Sequence, residues 1–234
     1  MSSAKEPKIA KIPRIDLLDT SFEQSIELRV ANPGQDGEID RLRRDAYASA
    51  INFELPDPTT ILRRKDPENS VCLVIGTRDS LFATMRIALA TDRPVAERLL
   101  EGKADLANSY FPGAVLSRGA TDPRYRGNGL MGFLVSLGVA VARQCALGSA
   151  LAVQVDKTPH FTAMEAAGWR SRTISDQDLA LVRNSLPLKL VYIERERFAR
   201  SAEQSRHAHP SLYQRLKPET VIQDAAQRLL KSLR

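Results

Sequence analysis

Residues 129–147, Gly-Leu-Met-Gly-Phe-Leu-Val-Ser-Leu-Gly-Val-Ala-Val-Ala-Arg-Gln-Cys-Ala-Leu, constrain the fold more than any other stretch of this chain. They read as one long helix that is apolar on most of its faces. Such a helix has to be covered on nearly every side, so it belongs inside a layered domain rather than on a surface. A membrane span would need about 18 or more uninterrupted apolar residues. Gly132, Ser136, Gly138, Arg143 and Gln144 break this run. The other layers must therefore come from the rest of the 234 residues, a length suited to one domain of roughly 100–200 residues with appended ends.

Strands are the natural cover. Residues 25–30 alternate weakly, with Ile26, Leu28 and Val30 on one side. Residues 70–76 and 81–90 are apolar runs separated by Arg78-Asp79-Ser80, which predicts a hairpin. Residues 113–120 and 151–155 flank the long helix, and 188–194 form a last strand. Between them, a helix is predicted over 38–50, with Ile39, Leu42, Ala46 and Tyr47 along one face. A mixed insertion, helical near 94–100, fills residues 92–112. A short helix over 161–167 is closed by Gly168. The order predicts a mixed α/β domain with a crossover through the long helix. Its expected divisions are a lead-in at 1–20, the main domain at 21–200 and a helical extension at 201–234.

The chemistry is concentrated in Thr121-Asp122-Pro123-Arg124-Tyr125-Arg126-Gly127-Asn128-Gly129-Leu130, between a buried strand and the long helix. Gly127 and Gly129 remove side chains where the chain turns. The first N–H groups of the helix have no intrahelical partner, and the helix dipole stands behind them. Such a turn is an anion site, and Arg124 and Arg126 add charge to it. It has no Gly-Lys-Ser/Thr ending, so it is not a P-loop. The three-glycine spacing of a dinucleotide fold is absent as well. A phosphate or pyrophosphate ligand is expected.

The net charge of +6 favours a polyanionic partner without choosing among nucleotide, acidic carrier protein, nucleic acid and anionic membrane. No helix-turn-helix or aromatic-basic platform supports nucleic acid. Cys72 and Cys145 sit in apolar runs and form neither a metal framework nor a disulfide scaffold. They read as small buried hydrophobes of a reducing compartment. With no apolar core after Lys5, Lys8, Lys11 and Arg14, a cytoplasmic location is expected.

The turn resembles the Arg/Gln-x-x-Gly-x-Gly/Ala signature of the GNAT acyltransferase superfamily, with Arg124, Gly127 and Gly129 in the three fixed places. Downstream, residues 151–155, the short helix and Ala167-Gly168-Trp169 are similar to that family's fifth strand, fourth helix and closing Gly-Phe. The resemblance implies a central mixed sheet of about six to seven strands flanked by helices and splayed between the fourth and fifth. It also implies an acyl donor, coenzyme A or a phosphopantetheine thioester, with no metal. Residues Gly119, Ala120, Thr121, Arg124, Tyr125, Arg126, Gly127, Asn128, Gly129 and Leu130 would bind it.

Residues 38–170 look like the branch of acyl-homoserine lactone synthases and long-chain N-acyl amino acid synthases, which draw largely on acyl carrier protein. Arg43, Ala46 and Tyr47 meet that branch's helix pattern, and Asp66 meets its acidic place before the second strand. Thr84-Met85-Arg86-Ile87 and Val115-Leu116-Ser117-Arg118 meet its strand patterns in part. Arg43, Tyr47 and Arg86 are thus expected to bind substrate, and Ser117 and Arg118 to stand near the thioester. Arg118 and Arg86 each read either as a carboxylate clamp for the acceptor or as a structural ion pair. The sequence departs from the pattern at Val115, where the branch has Glu. It also departs at Met164, where many coenzyme A-dependent members carry a Tyr that protonates the leaving thiolate.

Direct transfer to an amine in one ternary complex is expected, with a backbone N–H near 119–121 polarising the thioester carbonyl. Glu54, Asp66, Asp156 and Glu165 are available by type as the base, Asp156 being placed best, and a water relay is an alternative. His160 reads as a capping or surface residue and Trp169 as core. From Pro218 onward, Val221, Ile222, Ala225, Ala226, Leu229, Leu230 and Leu233 form a helix face that packs on its own domain or on a second copy. Docking of a membrane surface or a carrier protein is the sharper alternative for that face. The acceptor is a small amine or a peptide side chain. The rivals are a short-chain acetyl-CoA-dependent enzyme and a non-catalytic module that senses an acyl thioester.

Overall fold

The computed structural model describes residues 25–49, 66–100, 106–155, 158–173 and 188–232. Seven strands among them form one sheet: β1 (Glu27–Val30), β2 (Ser70–Gly76), β3 (Leu81–Ala90), β4 (Gly113–Thr121), β5 (Ser149–Val155), β6 (Arg170–Thr173) and β7 (Leu188–Glu194). Their spatial order is β1-β2-β3-β4-β5-β7-β6. Every neighbouring pair is antiparallel except β4 and β5, which are parallel and joined by the crossover helix α3 (Leu130–Gln144). The other helices of the described residues are α1 (Asp36–Ala48), α2 (Arg93–Leu100), α4 (Pro159–Ala166), α5 (Phe198–Ala208), α6 (Pro210–Leu216) and α7 (Glu219–Lys231).

Alternation along the strands assigns the two faces. Val71, Leu73, Ile75, Met85, Ile87, Ala114 and Leu116 share one core with α3 and the C-terminal helices. Cys72 and Val74 face Ile39, Leu42 and Ala46 of α1 instead. Val115 packs with Leu151, Leu190 and Tyr192 under Ala96 and Leu100 of α2. So α3 and α7 cover one side, while α1 and α2 cover the other. The all-round apolar character of α3 has its explanation here. Leu134, Leu137 and Val141 meet the sheet-side core, and Phe133 stands edge-on to Tyr213 of α6 at 5.0 Å between ring centroids.

Two irregularities position the site. The β4–β5 ladder covers only Gly113↔Ser149, Ala114↔Ala150 and Val115↔Leu151, after which the strands separate. On its other edge β4 carries a bulge: Thr84 pairs with Ala120 and Arg86 with Ser117, so Met85 stands opposite both Arg118 and Gly119. Arg118 adopts φ 52°, a left-handed conformation uncommon for a residue with a side chain. Both features fall in the second half of β4, where the chain runs out toward the glycine turn.

The predicted segments 70–76, 81–90 and 188–194 match the strands residue for residue. β6 was not anticipated: Arg-Ser-Arg-Thr has no apolar signal, and as the last strand of the sheet it needs only one partner. No helix among the described residues is long and apolar enough to cross a membrane.

Candidate active site

A row of three side chains crosses the sheet on the α1–α2 face. Cys72 of β2 pairs in register with Arg86 of β3, and Arg86 with Ser117 of β4. Arg86 donates from Nε to the Ser117 hydroxyl at 3.0 Å and from Nη2 to the Leu99 carbonyl of α2 at 3.3 Å. Asp66, four residues before β2, lies over this row and collects its cations. Its Oδ1 accepts from Arg118 Nη1 at 2.9 Å and from Arg86 Nη1 at 3.2 Å. Its Oδ2 accepts from both terminal nitrogens of Arg43 at 3.3 Å and from the Cys72 thiol at 3.1 Å. Arg43 comes down from α1 and also donates to Cys72 Sγ at 3.4 Å.

Three guanidiniums with side-chain exposures of 2%, 4% and 7% thus meet one carboxylate at 26%. Burial alone would raise the Asp66 carboxyl, but Arg43, the Cys72 hydrogen bond, Arg86 and Arg118 outweigh it and hold Asp66 below the ordinary range. Burial and then the like charge of Arg118 press the Arg86 guanidinium down. Asp40 of α1 stands 3.7 Å from Arg43 Nη1 as a second carboxylate at the edge of the cluster. Tyr47, one turn beyond Arg43, stays protonated because burial pushes its hydroxyl up against the pull of Arg43, Arg118 and Arg86. Burial likewise pushes the Cys72 thiol up to about 12 and the Cys145 thiol to about 11, so neither is a nucleophile at neutral pH.

The glycine turn lies at the far end of β4. Asp122 caps a single 3₁₀ turn, Pro123–Tyr125, by accepting from the Arg124 N–H at 2.9 Å. Gly127 follows at φ 89°, and Gly129 at φ 72° leads into α3. A Cβ on Gly129 would stand 2.8 Å from Nδ1 of His209, which lies between α5 and α6. Gly132 meets the same imidazole, with a Cβ 3.0 Å from Nε2. The C-terminal extension therefore packs directly on the first turn of α3.

The expected site residues divide into groups. Arg43, Arg86, Ser117 and Arg118 come together around Asp66, with Tyr47 beside them. Arg124 reaches Asp122 with Nη2 at 2.7 Å. Arg126 turns the other way, donating to the Ala46 and Ser49 carbonyls of α1. The Tyr125 ring is buried and stacks on Phe82 at 4.0 Å, and Leu130 and Ala120 are buried as well, so only the backbone of these three is available to a ligand. Asn128 donates to the Tyr125 carbonyl at 3.0 Å, and Gly119 and Thr121 continue β4 past the bulge. Asp156 and Glu54 lie outside the described residues. Glu165 is exposed on α4 and accepts from Ser171, away from the cluster.

Two readings change. His160 is not a cap, since Thr158 caps α4 by accepting from the Phe161 N–H at 3.1 Å. His160 instead lines a cavity of about 300 Å³ between α3, α4 and α5, with Gln204, Ser205 and His209. Burial, then the neighbouring His209, holds its imidazole below the usual range. Cys72, read from the sequence as a plain core residue, is a partner of Asp66. Strand alternation carried that signal, because it puts Cys72 on the face of α1.

No family model and no curated protein matches this sequence. Among solved structures, the chain is similar to FeeM, an N-acyl amino acid synthase from uncultured soil microbes, at 12% identity and TM-score 0.55, over 76% of this chain and 94% of that one. It is similar to a polyamine N-acetyltransferase of Drosophila melanogaster at 12% identity and TM-score 0.53, over 72% and 99%. It is also similar to yncA, a putative acetyltransferase from Salmonella typhimurium bound to acetyl-CoA, at 13% identity and TM-score 0.50, over 73% and 94%. The chain has the GNAT fold, and the strands part between β4 and β5 as the turn signature implied.

Proposed function

We propose that this chain is an N-acyltransferase that moves a medium- or long-chain acyl group from an acyl carrier protein or coenzyme A thioester to the primary amine of a carboxylate-bearing acceptor such as an amino acid. The observation that carries this reading is the convergence of Arg43, Arg86 and Arg118 on Asp66 beside the β4–β5 gap. Ser117, which Arg86 of β3 bonds, and Arg118 begin two residues beyond Val115, the last residue of β4 paired with β5. Arg groups present two parallel donors to a planar carboxylate, which selects for an acid rather than a polyamine.

The donor's phosphate is assigned to the turn, where the free N–H groups at the start of α3 and the exposed Arg124 favour an anion. From there the pantetheine arm enters the gap between β4 and β5 and brings its thioester to the bulge. A backbone N–H at 119–121 polarises the carbonyl oxygen, on the edge of β4 that has parted from β5. The neutral amine attacks the carbonyl carbon, the C–S bond breaks, and the electron pair leaves on sulfur. The amine's proton passes through water to a base, and from there to the thiolate or to bulk. Asp66 is a poor base for this step, because three arginines stabilise its ionised form. Asp156 is proposed as the base that takes the proton through that water.

A second reading, a donor-binding module without turnover, is favoured by Val115 and Met164. Both are buried in apolar clusters at the places where the resembled enzymes carry Glu and Tyr. One experiment separates the readings. The pure protein is incubated with acetyl-CoA, palmitoyl-CoA and palmitoyl carrier protein, each with mixed amino acids and polyamines, and thiol release is followed. Release with a long-chain donor and amino acids, lost in Gly127→Glu, is the expected outcome. Release with acetyl-CoA alone would move the protein to the short-chain class. Donor binding without release would make it a sensor.

A further inference from the structure

Arg126 lies inside the glycine turn, beside the place proposed for the donor's phosphate, yet its guanidinium does not face that place. Nη2 donates to the Ala46 carbonyl at 2.7 Å and to the Ser49 hydroxyl at 2.9 Å, and Nη1 to the Ser49 carbonyl at 3.2 Å. These groups form the C-terminal end of α1, where carbonyls run out of intrahelical partners and the helix dipole is negative. The last turn of α1 has no basic residue of its own. A residue 77 positions away supplies the missing cation.

The same helix brings Arg43 to Asp66 and sets Tyr47 beside the cluster. Ala46, which accepts the shortest of the three bonds, lies between them in sequence. The backbone of Arg126 in turn adjoins Gly127, whose φ of 89° shapes the turn. One side chain thus ties the donor turn to the helix that builds the acceptor side. For the guanidinium to reach a phosphate it would have to abandon three acceptors and take its charge away from the end of α1.

Resting on the acyltransfer reading above, we infer that Arg126 is a positioning residue: it transmits occupancy of the donor turn to α1 and so fixes Arg43 and Tyr47 for the acceptor. It is not a phosphate ligand. An anion held by the turn's N–H groups immobilises the backbone at 126–129, and the side chain passes that rigidity to residues 46–49.

The test uses the full chain with coenzyme A as the probe, and Arg126→Gln, Arg126→Lys and Ser49→Ala as variants. Calorimetry gives the affinity for coenzyme A, and hydrogen exchange of residues 43–49 is recorded with and without it. Thiol release from palmitoyl-CoA with mixed amino acids gives kcat and both KM values. In the wild type, coenzyme A is expected to slow exchange in the turn and also in the last turn of α1. In Arg126→Gln, affinity for coenzyme A stays within about twofold, the protection of α1 disappears, and kcat falls at least tenfold with a raised acceptor KM. Arg126→Lys restores part of the protection, and Ser49→Ala shifts every readout in the same direction by less.

A tenfold loss of coenzyme A affinity with kcat unchanged would make Arg126 a phosphate ligand and overturn the inference. So would a uniform loss of binding, protection and activity, or no change in any of them. A wild type that binds coenzyme A but releases no thiol sinks the acyltransfer reading alone. Exchange and affinity still decide the role of Arg126 in that case.

Discussion

Asp66 is the residue on which most of the site depends, and its contribution has a definite sign in pH. It accepts from Arg43, Arg86, Arg118 and Cys72 while only 26% of its side chain is exposed. Removing the anion leaves three buried guanidiniums facing one another. Breaking a buried pair by deleting one partner costs several kcal/mol, so Asp66→Asn is expected to lower stability by about 3 kcal/mol. Because the folded carboxyl titrates below its ordinary value, the stabilisation is present above the unfolded value of about 4 and is lost as pH falls through the depressed one. Urea denaturation from pH 7 down to 3 checks both points. The gap between wild type and Asp66→Asn should be full at pH 7 and close on acidification, whereas a gap independent of pH would mean that Asp66 is not the ionised hub. The resemblance to the acyl-homoserine lactone and N-acyl amino acid synthase patterns picked out Asp66, Arg43, Arg86, Ser117 and Arg118. It was silent on which of them meet, because partners 20, 23 and 52 positions apart are joined only by the register of three strands and the descent of one helix. The bonds of Arg126 to the end of α1 were hidden for the same reason, since a basic residue beside two glycines reads only as a phosphate ligand.

At the level of elements, legibility followed burial. β2, β3 and β7 were read to the residue because each is an apolar run bounded by polar turns, and α3 because nearly every face is apolar. β6 escaped because it is short and polar, and α5 and α6 were covered only by the expectation of a helical extension over 201–234, without their separate bounds. The C-terminal helix α7 was legible as an amphipathic face, and the structure supplies its partner. Ala225, Ala226 and Leu229 are buried, and the Cys145 thiol at the end of α3 lies 3.7 Å from the Ala226 carbonyl. The same core takes in Leu28 and Val30 of β1 and Val71 of β2. With that face already occupied, α7 is an integral wall rather than a docking arm. Leu229→Ala should therefore cost about 3 kcal/mol in chemical denaturation, as truncation of a fully buried leucine does. Leu230, 39% exposed one position later, is the control, and Leu230→Ala should change stability by no more than about 0.5 kcal/mol. Equal and small effects at both positions would mean that the helix is detached in solution.

On the scale of the whole molecule, β4 carries the arginine cluster along its second half and the glycine turn past its end. The cluster lies on the α1–α2 face of the sheet, and the turn meets the last turn of α1 through Arg126. On the proposed reading, a donor at the turn and an acceptor at the cluster occupy the protein together, and direct transfer is expected rather than an acyl-enzyme. The cysteines point the same way. Cys72 is the only thiol near the cluster among the described residues, and it is buried, donates its hydrogen to Asp66 and is pushed up to about 12. A thiol that stays protonated does not accept an acyl group at neutral pH. Initial rates with donor and acceptor varied together should give intersecting reciprocal plots. Cys72→Ser, which preserves a donor to Asp66, should keep kcat within about threefold, a change of under 1 kcal/mol in the barrier. Parallel plots, an acylated protein seen by mass spectrometry after incubation with palmitoyl-CoA, or loss of turnover in Cys72→Ser would show a covalent intermediate. The turn and the cluster would then work in succession instead of together.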